Sequence, residues 1–223
     1  MRRSVLLWLL FTWASPALAE GTSYLKPNVE DLDGAPGWVH VEPSQMPLRI
    51  AIRRPTVSAR DGGTRTTREA AIRGMQIWEE ALKPYLPWFA LEFVEKDPDP
   101  DVEIAWRELK SAGGDAAGRG GFHWERDGEG VRIRGWMRLA VQPAYPVKTA
   151  LRLDEVELLA AHEFGHVLGL GHCLDCDSIM NYSWSTLGRT LVTKLDVLTF
   201  IQLVGKPNAT RVDGSPLRAA GSR

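Results

Sequence analysis

The sequence is poor in the residues that would point to several familiar classes of protein. Its 223 residues include two cysteines and five histidines, so ligands are available for one histidine cluster and one cysteine pair and no more. The formal net charge is −1, which gives no sign of a nucleic-acid or membrane-surface partner. No apolar run beyond the N-terminus is long enough for a transmembrane helix. What remains is the composition of a globular protein, 44% hydrophobic and 25% charged.

The first nineteen residues have the pattern of a secretory signal. Arg2 and Arg3 supply positive charge, and the apolar run from Val5 to Trp13 is too short to span a bilayer. Ala17-Leu18-Ala19 matches an A-x-A cleavage site. We therefore expect residues 1–19 to be a signal peptide and the protein to be secreted, or to reach the periplasm or cell envelope if its source is bacterial. A signal anchor is the alternative.

The rest of the chain divides into an extension, one domain and a tail. Residues 20–45 are rich in Pro, Gly and Asp and show no sustained period, so we predict an extended N-terminal segment. Residues 46–206 carry the pattern of one globular domain, and residues 207–223 that of a flexible tail. The Gly-rich stretch 113–121 is predicted to be a loop. Strands are predicted at Leu48–Arg53, Phe89–Val94 and Val102–Trp106, and in a hairpin of Phe122–Arg126 and Val131–Met137.

Three helices are predicted from apolar periodicity and capping signals. The first follows a capping box at Thr66–Glu69 and ends at Pro84. The second opens with a capping box at Asp154–Glu157. The last runs from about 193 to 204, with Gly205 as its stop signal.

The second helix carries the chemistry, because the segment that begins at His162 is H-E-F-G-H-V-L-G-L-G-H. His162 and His166 are four residues apart, so on a helix both rings leave the same face and can bind one ion. Glu163 adjoins the first ligand without being one, and it can take a proton from a water activated by the metal. Gly169 stands where the helix must end, and it permits a turn that brings His172 back as the third ligand.

Three neutral imidazoles leave Zn²⁺ with its full charge and an open coordination position, which is typical of catalytic rather than structural sites. The alternative is that these are ordinary helix and core residues. A bare H-E-x-x-H would leave that alternative open, but the full eleven-residue pattern on a capped helix is much more specific. The segment therefore predicts a metal-dependent hydrolase.

The same segment resembles the metzincin pattern H-E-x-x-H-x-x-G-x-x-H. Met180, eight residues beyond His172, stands at the position of the family's Met-turn, and this spacing is similar to that of the matrixins. Cys173, Cys176 and Tyr182 depart from the matrixin pattern. The I-M-x-Y form is similar to astacins and serralysins, where a tyrosine two residues after the methionine can ligate zinc and then swing to support the transition state.

The resemblance implies a metzincin (zincin-like) catalytic domain of the α+β class. Such a domain has a five-stranded mixed twisted sheet with an antiparallel edge strand, three helices and a substrate cleft across the front. The activity implied is that of a zinc-dependent metalloendopeptidase, with one catalytic Zn²⁺. A protein or peptide substrate would lie extended along the edge strand near Phe122–Arg126, and we expect the protein to be a monomer.

The resemblance also assigns supporting roles. Met180 would pack beneath the metal site, and Tyr182 would support the oxyanion, with packing of its ring against the helix that carries His162 as the alternative. Asp196 matches an aspartate of the last matrixin helix that holds the Met-turn, although an N-terminal helix aspartate without that role is the alternative. Only His40 and His123 remain beyond the three ligands, so the second, structural zinc site of classical matrixins is excluded in the family's form.

Two further features concern bound metal and covalent structure. Cys173 and Cys176 are the only cysteines, and in a secreted protein we expect them to form a local disulfide that stiffens the segment before Met180. Calcium is common in the family, and the acidic loops at Asp97–Asp101 and Asp127–Glu129 are candidates for binding Ca²⁺, with solvated turns as the alternative.

Two other functions fit part of the same pattern. A non-catalytic secreted binding protein could keep the zinc site for structure, but Glu163 argues against it, because a structural site has no need of a base. A metal-dependent amidase acting on something other than protein would use the same groups. The sequence favours an endopeptidase, since nothing obvious is present to capture a free chain terminus.

Overall fold

A computed structural model describes most of the chain. The residues described are 30–31, 36–107, 117–127, 130–142, 150–174, 176–181, 192–208 and 210–211. The predicted signal peptide, Tyr182, the tip of the hairpin and most of the predicted tail lie outside them. Among the described residues, no helix has the length and apolar character needed to cross a membrane.

The described residues form eight strands, three α-helices and one short 3₁₀ helix at Pro43–Gln45. In chain order the strands are β1 (Glu30–Asp31), β2 (Pro36–Trp38), β3 (Leu48–Ile52), β4 (Leu91–Val94), β5 (Val102–Trp106), β6 (Gly118–Asp127), β7 (Gly130–Leu139) and β8 (Thr210–Arg211). The helices are α1 (Thr64–Leu82), α2 (Leu153–Val167) and α3 (Lys194–Val204).

Five of the strands form one mixed sheet in the order β4-β3-β5-β7-β6. Strands β4, β3, β5 and β7 are parallel, and β6 pairs antiparallel with β7 through the predicted hairpin. The predicted α+β architecture, with a five-stranded mixed sheet and three helices, is therefore confirmed. Its antiparallel strand β6 lies at the edge of the sheet.

The edge strand begins earlier than predicted, because Gly118 to Gly121 belong to β6 and not to a loop. A Cβ atom at Gly120 would lie 2.1 Å from the backbone oxygen of Glu163, and a Cβ atom at Gly118 would lie 2.6 Å from the Glu163 carboxylate. The glycines thus allow β6 to run directly against α2. The loop prediction was wrong for these residues. Glycine has a low strand propensity, but its lack of a side chain permits the close packing against α2, and this packing outweighs the propensity.

The helices occur as predicted, but two of them begin before their expected caps. Helix α1 follows Gly63, whose N–H donates to the hydroxyl of Thr66 over 2.8 Å. Helix α2 follows Arg152, whose N–H donates to the carboxylate of Glu155 over 2.6 Å. Helix α3 begins where expected, and the hydroxyl of Thr193 accepts from the backbone N–H of Asp196, the third residue of the helix.

Helix α1 packs against α2 and contacts it through both a side chain and the backbone. The indole N–H of Trp78, which is fully buried, donates to the backbone oxygen of Ala161 over 2.8 Å. At Gly74 an added Cβ would lie 2.1 Å from the backbone oxygen of Glu157, so the two helices are in backbone contact there. The helix that carries the H-E-x-x-H segment is therefore fixed between α1 and the sheet.

The N-terminal extension is built into the domain. Strand β2 pairs antiparallel with β1 on one side and with β8 on the other. Val39 and Val41 are buried members of the hydrophobic core. The packed unit thus begins before residue 46, and the segment predicted to be a flexible tail begins with a paired strand.

A side-chain clamp joins these two ends. The amide of Asn208 donates to the backbone oxygen of His40 over 2.9 Å and accepts the His40 backbone N–H over 3.1 Å. The same amide donates to Glu42 over 2.9 Å. The ring of His40 lies 2.9 Å from the backbone oxygen of Lys206. The clamp satisfies backbone groups that burial would otherwise leave without partners.

Candidate metal centre

The turn after α2 brings the third histidine toward the first two. The helix ends at Val167, and the N–H of Leu170 then donates to the oxygen of Gly165 over 2.9 Å. Gly169 has a φ angle of 90°, a left-handed conformation that costs little only for glycine. The chain therefore reverses sharply just before His172.

The ring nitrogens of His162, His166 and His172 converge. Their potential ligand atoms all lie within 4.8 Å of one another, and among the described residues this is the one group of three or more metal-binding side chains that do so. The Nε2 atoms of His162 and His172 are 3.3 Å apart. Two nitrogens bound at ~2.0 to 2.1 Å to one tetrahedral ion have that spacing.

Backbone carbonyls orient two of the rings. The Nδ1 atom of His162 lies 2.6 Å from the oxygen of Ile179, and the Nδ1 atom of His166 lies 2.7 Å from the oxygen of Leu170. A carbonyl can only accept, so each Nδ1 carries the proton and the lone pair of each ring lies on Nε2. This outer-shell arrangement is typical of metal-binding histidines.

The protonation states also suit a metal. Burial is the main cause that lowers the pKa of His162 to about 3, and the charge of the neighbouring His166 lowers it further. Burial likewise lowers the pKa of His166 to about 4 and lowers the pKa of His172. The three imidazoles are therefore neutral at physiological pH, as metal ligands must be. The number and charge of the three rings, and the tautomers of His162 and His166, fit zinc.

Glu163 is buried between α2 and the edge strand, with only 5% of its surface exposed. Burial raises the pKa of its carboxyl group to about 8, whereas a hydrogen bond from the Gly120 backbone and the charge of Arg119 act in the opposite direction. A carboxylate with a proton affinity near neutrality is suited to accept a proton and release it again. Glu163 contributes no atom to the histidine group.

The turn at Met180 lies directly beneath the histidine-bearing helix. A Cβ atom at Gly165 would lie 2.2 Å from the sulfur of Met180, so glycine is required where the methionine packs against α2. Met180 is fully buried. The N–H of Asn181 donates to the oxygen of Ser178 over 3.0 Å, which closes the turn.

Asp196, at the start of α3, holds this turn. Its carboxylate accepts a short hydrogen bond from the hydroxyl of Ser178, and that hydroxyl accepts the N–H of Met180 over 2.9 Å. Asp196 also accepts from the backbone N–H of Thr193 over 2.7 Å. Because one fully buried carboxylate serves both the helix and the turn, the role implied by the resemblance is confirmed over that of a simple helix-terminal aspartate.

The segment between His172 and Met180 is closed by three links. Cys173 and Cys176 are joined in a disulfide. The N–H of Cys173 donates to the oxygen of Met180 over 2.9 Å, and the side-chain amide of Asn181 donates to the oxygen of Cys176 over 2.8 Å. These links tie the third histidine to the turn beneath the site.

The carboxylates of the first calcium candidate are already paired with arginines. Arg49 contacts Asp97, Arg132 contacts Asp101 over 2.6 Å, and the pair of Arg134 and Asp99 is 2.8 Å apart. A cation would have to displace these guanidinium groups. Most of the second candidate, the hairpin tip, lies outside the described residues.

Several residues of the site were missed from the sequence. Gly118, Gly120 and Gly165 make room for Glu163 and Met180, and Ser178 links the turn to α3. The alternating glycines of G-R-G-G, next to a predicted strand, were the available signal, because glycine within a strand often marks a close backbone approach.

Gly120→Ala tests this close approach. The added methyl group would meet the backbone of Glu163, which cannot move without bending α2. We expect the free energy of unfolding to fall by roughly 1 to 3 kcal/mol, measured by urea denaturation. Gly63→Ala is the control, since nothing lies within 4 Å of a Cβ there, and its cost should stay below about 1 kcal/mol. Equal stability of the two variants would contradict the packing described.

Comparison with known proteins agrees with this geometry. The sequence model of the protein family described as Matrixin matches residues 54–203 of the chain. That range contains α1, the whole five-stranded sheet except β3, and all the residues of the histidine cluster. Among curated proteins, none gives a significant match to the chain.

Proposed function

The chain belongs to the matrixin family of zinc metallopeptidases, and from this premise we propose that it is a secreted metalloendopeptidase with Glu163 as its general base. The observation that carries the proposal is the convergence of three neutral histidines beside a buried carboxylate. Secretion is supported by the signal pattern of residues 1–19. The exported protein should then begin at Glu20, which mass spectrometry of its N-terminal peptide would test.

His162, His166 and His172 would hold the zinc ion through their Nε2 atoms. When bound, zinc polarises the carbonyl of the scissile peptide and makes water at the site more acidic. The Nδ1 contacts of His162 and His166 keep those rings oriented, which limits the reorganisation needed during the reaction.

Glu163 would move the proton. Its carboxylate takes a proton from the attacking water and passes it to the nitrogen of the leaving amine. The hydrogen bond from the backbone of Gly120 holds the carboxylate toward the edge strand. The burial that raises its pKa also excludes bulk water, so the proton is transferred and not lost to solvent.

The substrate would pair with the free edge of β6. In the part of the chain that the structure describes, β6 has β7 on one side and no strand on the other. An extended peptide can add a strand there through backbone hydrogen bonds. Recognition of this kind needs no free terminus, which favours an endopeptidase.

A peptide-library digest tests the proposed function. Mature protein should cleave peptides at internal bonds, lose that activity when a chelator removes zinc, and regain it when zinc is restored. Product masses would locate the cleaved bonds. Stoichiometric zinc without any cleavage would favour a binding protein, and cleavage of non-peptide amides alone would favour an amidase.

Tyr182 keeps the role implied by its position after Met180, although it lies outside the described residues. Its hydroxyl would support the oxyanion of the transition state. Tyr182→Phe removes only that hydroxyl, so turnover should fall roughly 10- to 1000-fold with less effect on substrate affinity. Steady-state kinetics on one cleaved peptide would measure this, and unchanged turnover would refute the role.

A further inference from the structure

The edge strand presents two faces to a bound peptide. Gly118 and Gly120 point toward Glu163 and α2. The residue between them, Arg119, points to the opposite face of the sheet, because successive side chains of a strand alternate. We call this opposite side the outer face. Arg119 is exposed there, at the same level along β6 as the proposed general base.

Arg119 stands opposite a second arginine. The register of β6 and β7 pairs Arg119 directly with Arg138, which is also exposed. Among the described residues neither of the two forms a salt bridge. Like charges directly opposite each other in an antiparallel pair are destabilising, so this pair costs stability, and within the described part of the chain no carboxylate compensates it through a salt bridge.

An aromatic side chain holds one of these cations in place. The guanidinium of Arg138 lies 5.1 Å from the ring centroid of Trp136, within the range of a cation–π contact. Trp136 in turn lies over Gly121, where a Cβ atom would be 3.1 Å from its ring. Arg138 thus has a defined position on the outer face, opposite Arg119.

We propose that Arg119, backed by Arg138, is a specificity-determining residue that selects peptides with an acidic side chain next to the cleaved bond, on the outer face. The inference rests on the proposed function. A peptide strand paired with β6 would place the Cβ atom opposite Arg119 about 4.5 to 5.5 Å away. A carboxylate there could accept from both guanidinium groups and relieve their repulsion. The alternation holds for either direction of the bound peptide.

Matched peptides test the preference. In a cleaved peptide, Glu is placed in turn at each position near the cleaved bond, and each variant is compared with the same peptide carrying Gln. At the position whose side chain lies opposite Arg119, we expect kcat/KM to favour Glu over Gln by about two- to fivefold, the range for an exposed cross-strand ion pair. The preference should weaken as salt concentration rises.

Two variants assign the effect to this residue. Arg119→Gln should bring the ratio of kcat/KM for the Glu peptide to kcat/KM for the Gln peptide close to one. Arg119→Glu should invert this ratio and favour Lys at the same peptide position. Arg65→Gln is the matched control, because it removes the same charge from an exposed site on α1, where it pairs with Glu69; it should keep the wild-type ratio. A general effect of Arg119 on Glu163 would change all peptides alike and leave the ratio intact, which would overturn the proposal.

The possible outcomes distinguish a failure of this inference from a failure of the proposed function. If wild-type protein cleaves Glu and Gln peptides equally, the selectivity is refuted while the endopeptidase stands. If it cleaves neither, nor any library peptide, the proposed function itself fails. Thermal unfolding should show Arg119→Gln to be at least as stable as wild type, because the substitution removes a like-charge pair. Loss of stability would instead point to a structural role and count against the proposal.

Discussion

Replacing Glu163 by Gln should lower kcat by roughly 10²- to 10⁴-fold, the usual contribution of a general base, while zinc stays bound. Glutamine has nearly the same shape, so it can still fill the space beside Gly118 and accept the hydrogen bond from Gly120. It cannot take a proton from water. Because Glu163 contributes no atom to the histidine cluster, the metal content should remain that of the wild type. Steady-state kinetics and metal analysis of the same sample would measure both.

Glu157→Gln provides the matched control. The substitution makes the same chemical change on the same helix. The carboxylate of Glu157, however, pairs with Arg73 of α1 over 3.1 Å and does not belong to the site. We expect this variant to keep near-normal kcat. A Glu163→Gln variant that binds zinc and turns over at the wild-type rate would refute the role of Glu163 as the base.

His172→Ala should weaken zinc binding by more than the roughly 10- to 100-fold that loss of an outer-shell partner costs, and activity should fall with it. His172 lies beyond the end of α2, so the substitution leaves the helix and its two histidines intact. Two imidazoles alone give an incomplete set of protein ligands for a catalytic site. Zinc affinity measured by competition with a chromophoric chelator would quantify the loss, and circular dichroism would verify the fold.

His123→Ala is the control for zinc binding, because His123 lies exposed on β6 and outside the histidine cluster. Its zinc affinity should equal that of the wild type. If His172→Ala bound zinc as tightly as wild type, a residue other than His172 would have to be the third ligand. The turn at Gly169 would then have no part in building the site.

The core of the site could be predicted because its information is local. His162, Glu163 and His166 lie on one helix, and their relative positions follow from the 3.6-residue repeat. Gly169 marks the end of that helix by its backbone freedom. The resemblance to matrixins added the turn at Met180, which short-range patterns would not have identified.

Helix starts were less predictable because capping signals are degenerate. The side chains of Thr66 and Glu155 each accept a hydrogen bond from the backbone N–H three positions before them. The sequence pattern instead suggested capping boxes that begin further along the chain. Ser, Thr, Asp and Glu are common near helix N-termini, so several overlapping boxes can be drawn. Only backbone geometry decides between them.

The ends of the domain could not be predicted from local pattern at all. Asn208 and His40 are 168 positions apart, and short strands such as β1, β2 and β8 show no period of their own. Their pairing becomes favourable only when the rest of the fold brings them together. Residues on both sides of the predicted domain boundary thus became part of the packed structure.

By itself, the sequence determined which groups can carry out the reaction, because three histidines and one glutamate at fixed spacing on and after a helix form a metal site largely through local geometry. The tertiary structure alone decided how closely the edge strand approaches that site and which face of it carries Arg119. Both depend on the register of β6 with β7 and on backbone contact with α2. Such contacts join segments far apart in the chain, and a one-residue change of register would reverse every side chain on the strand.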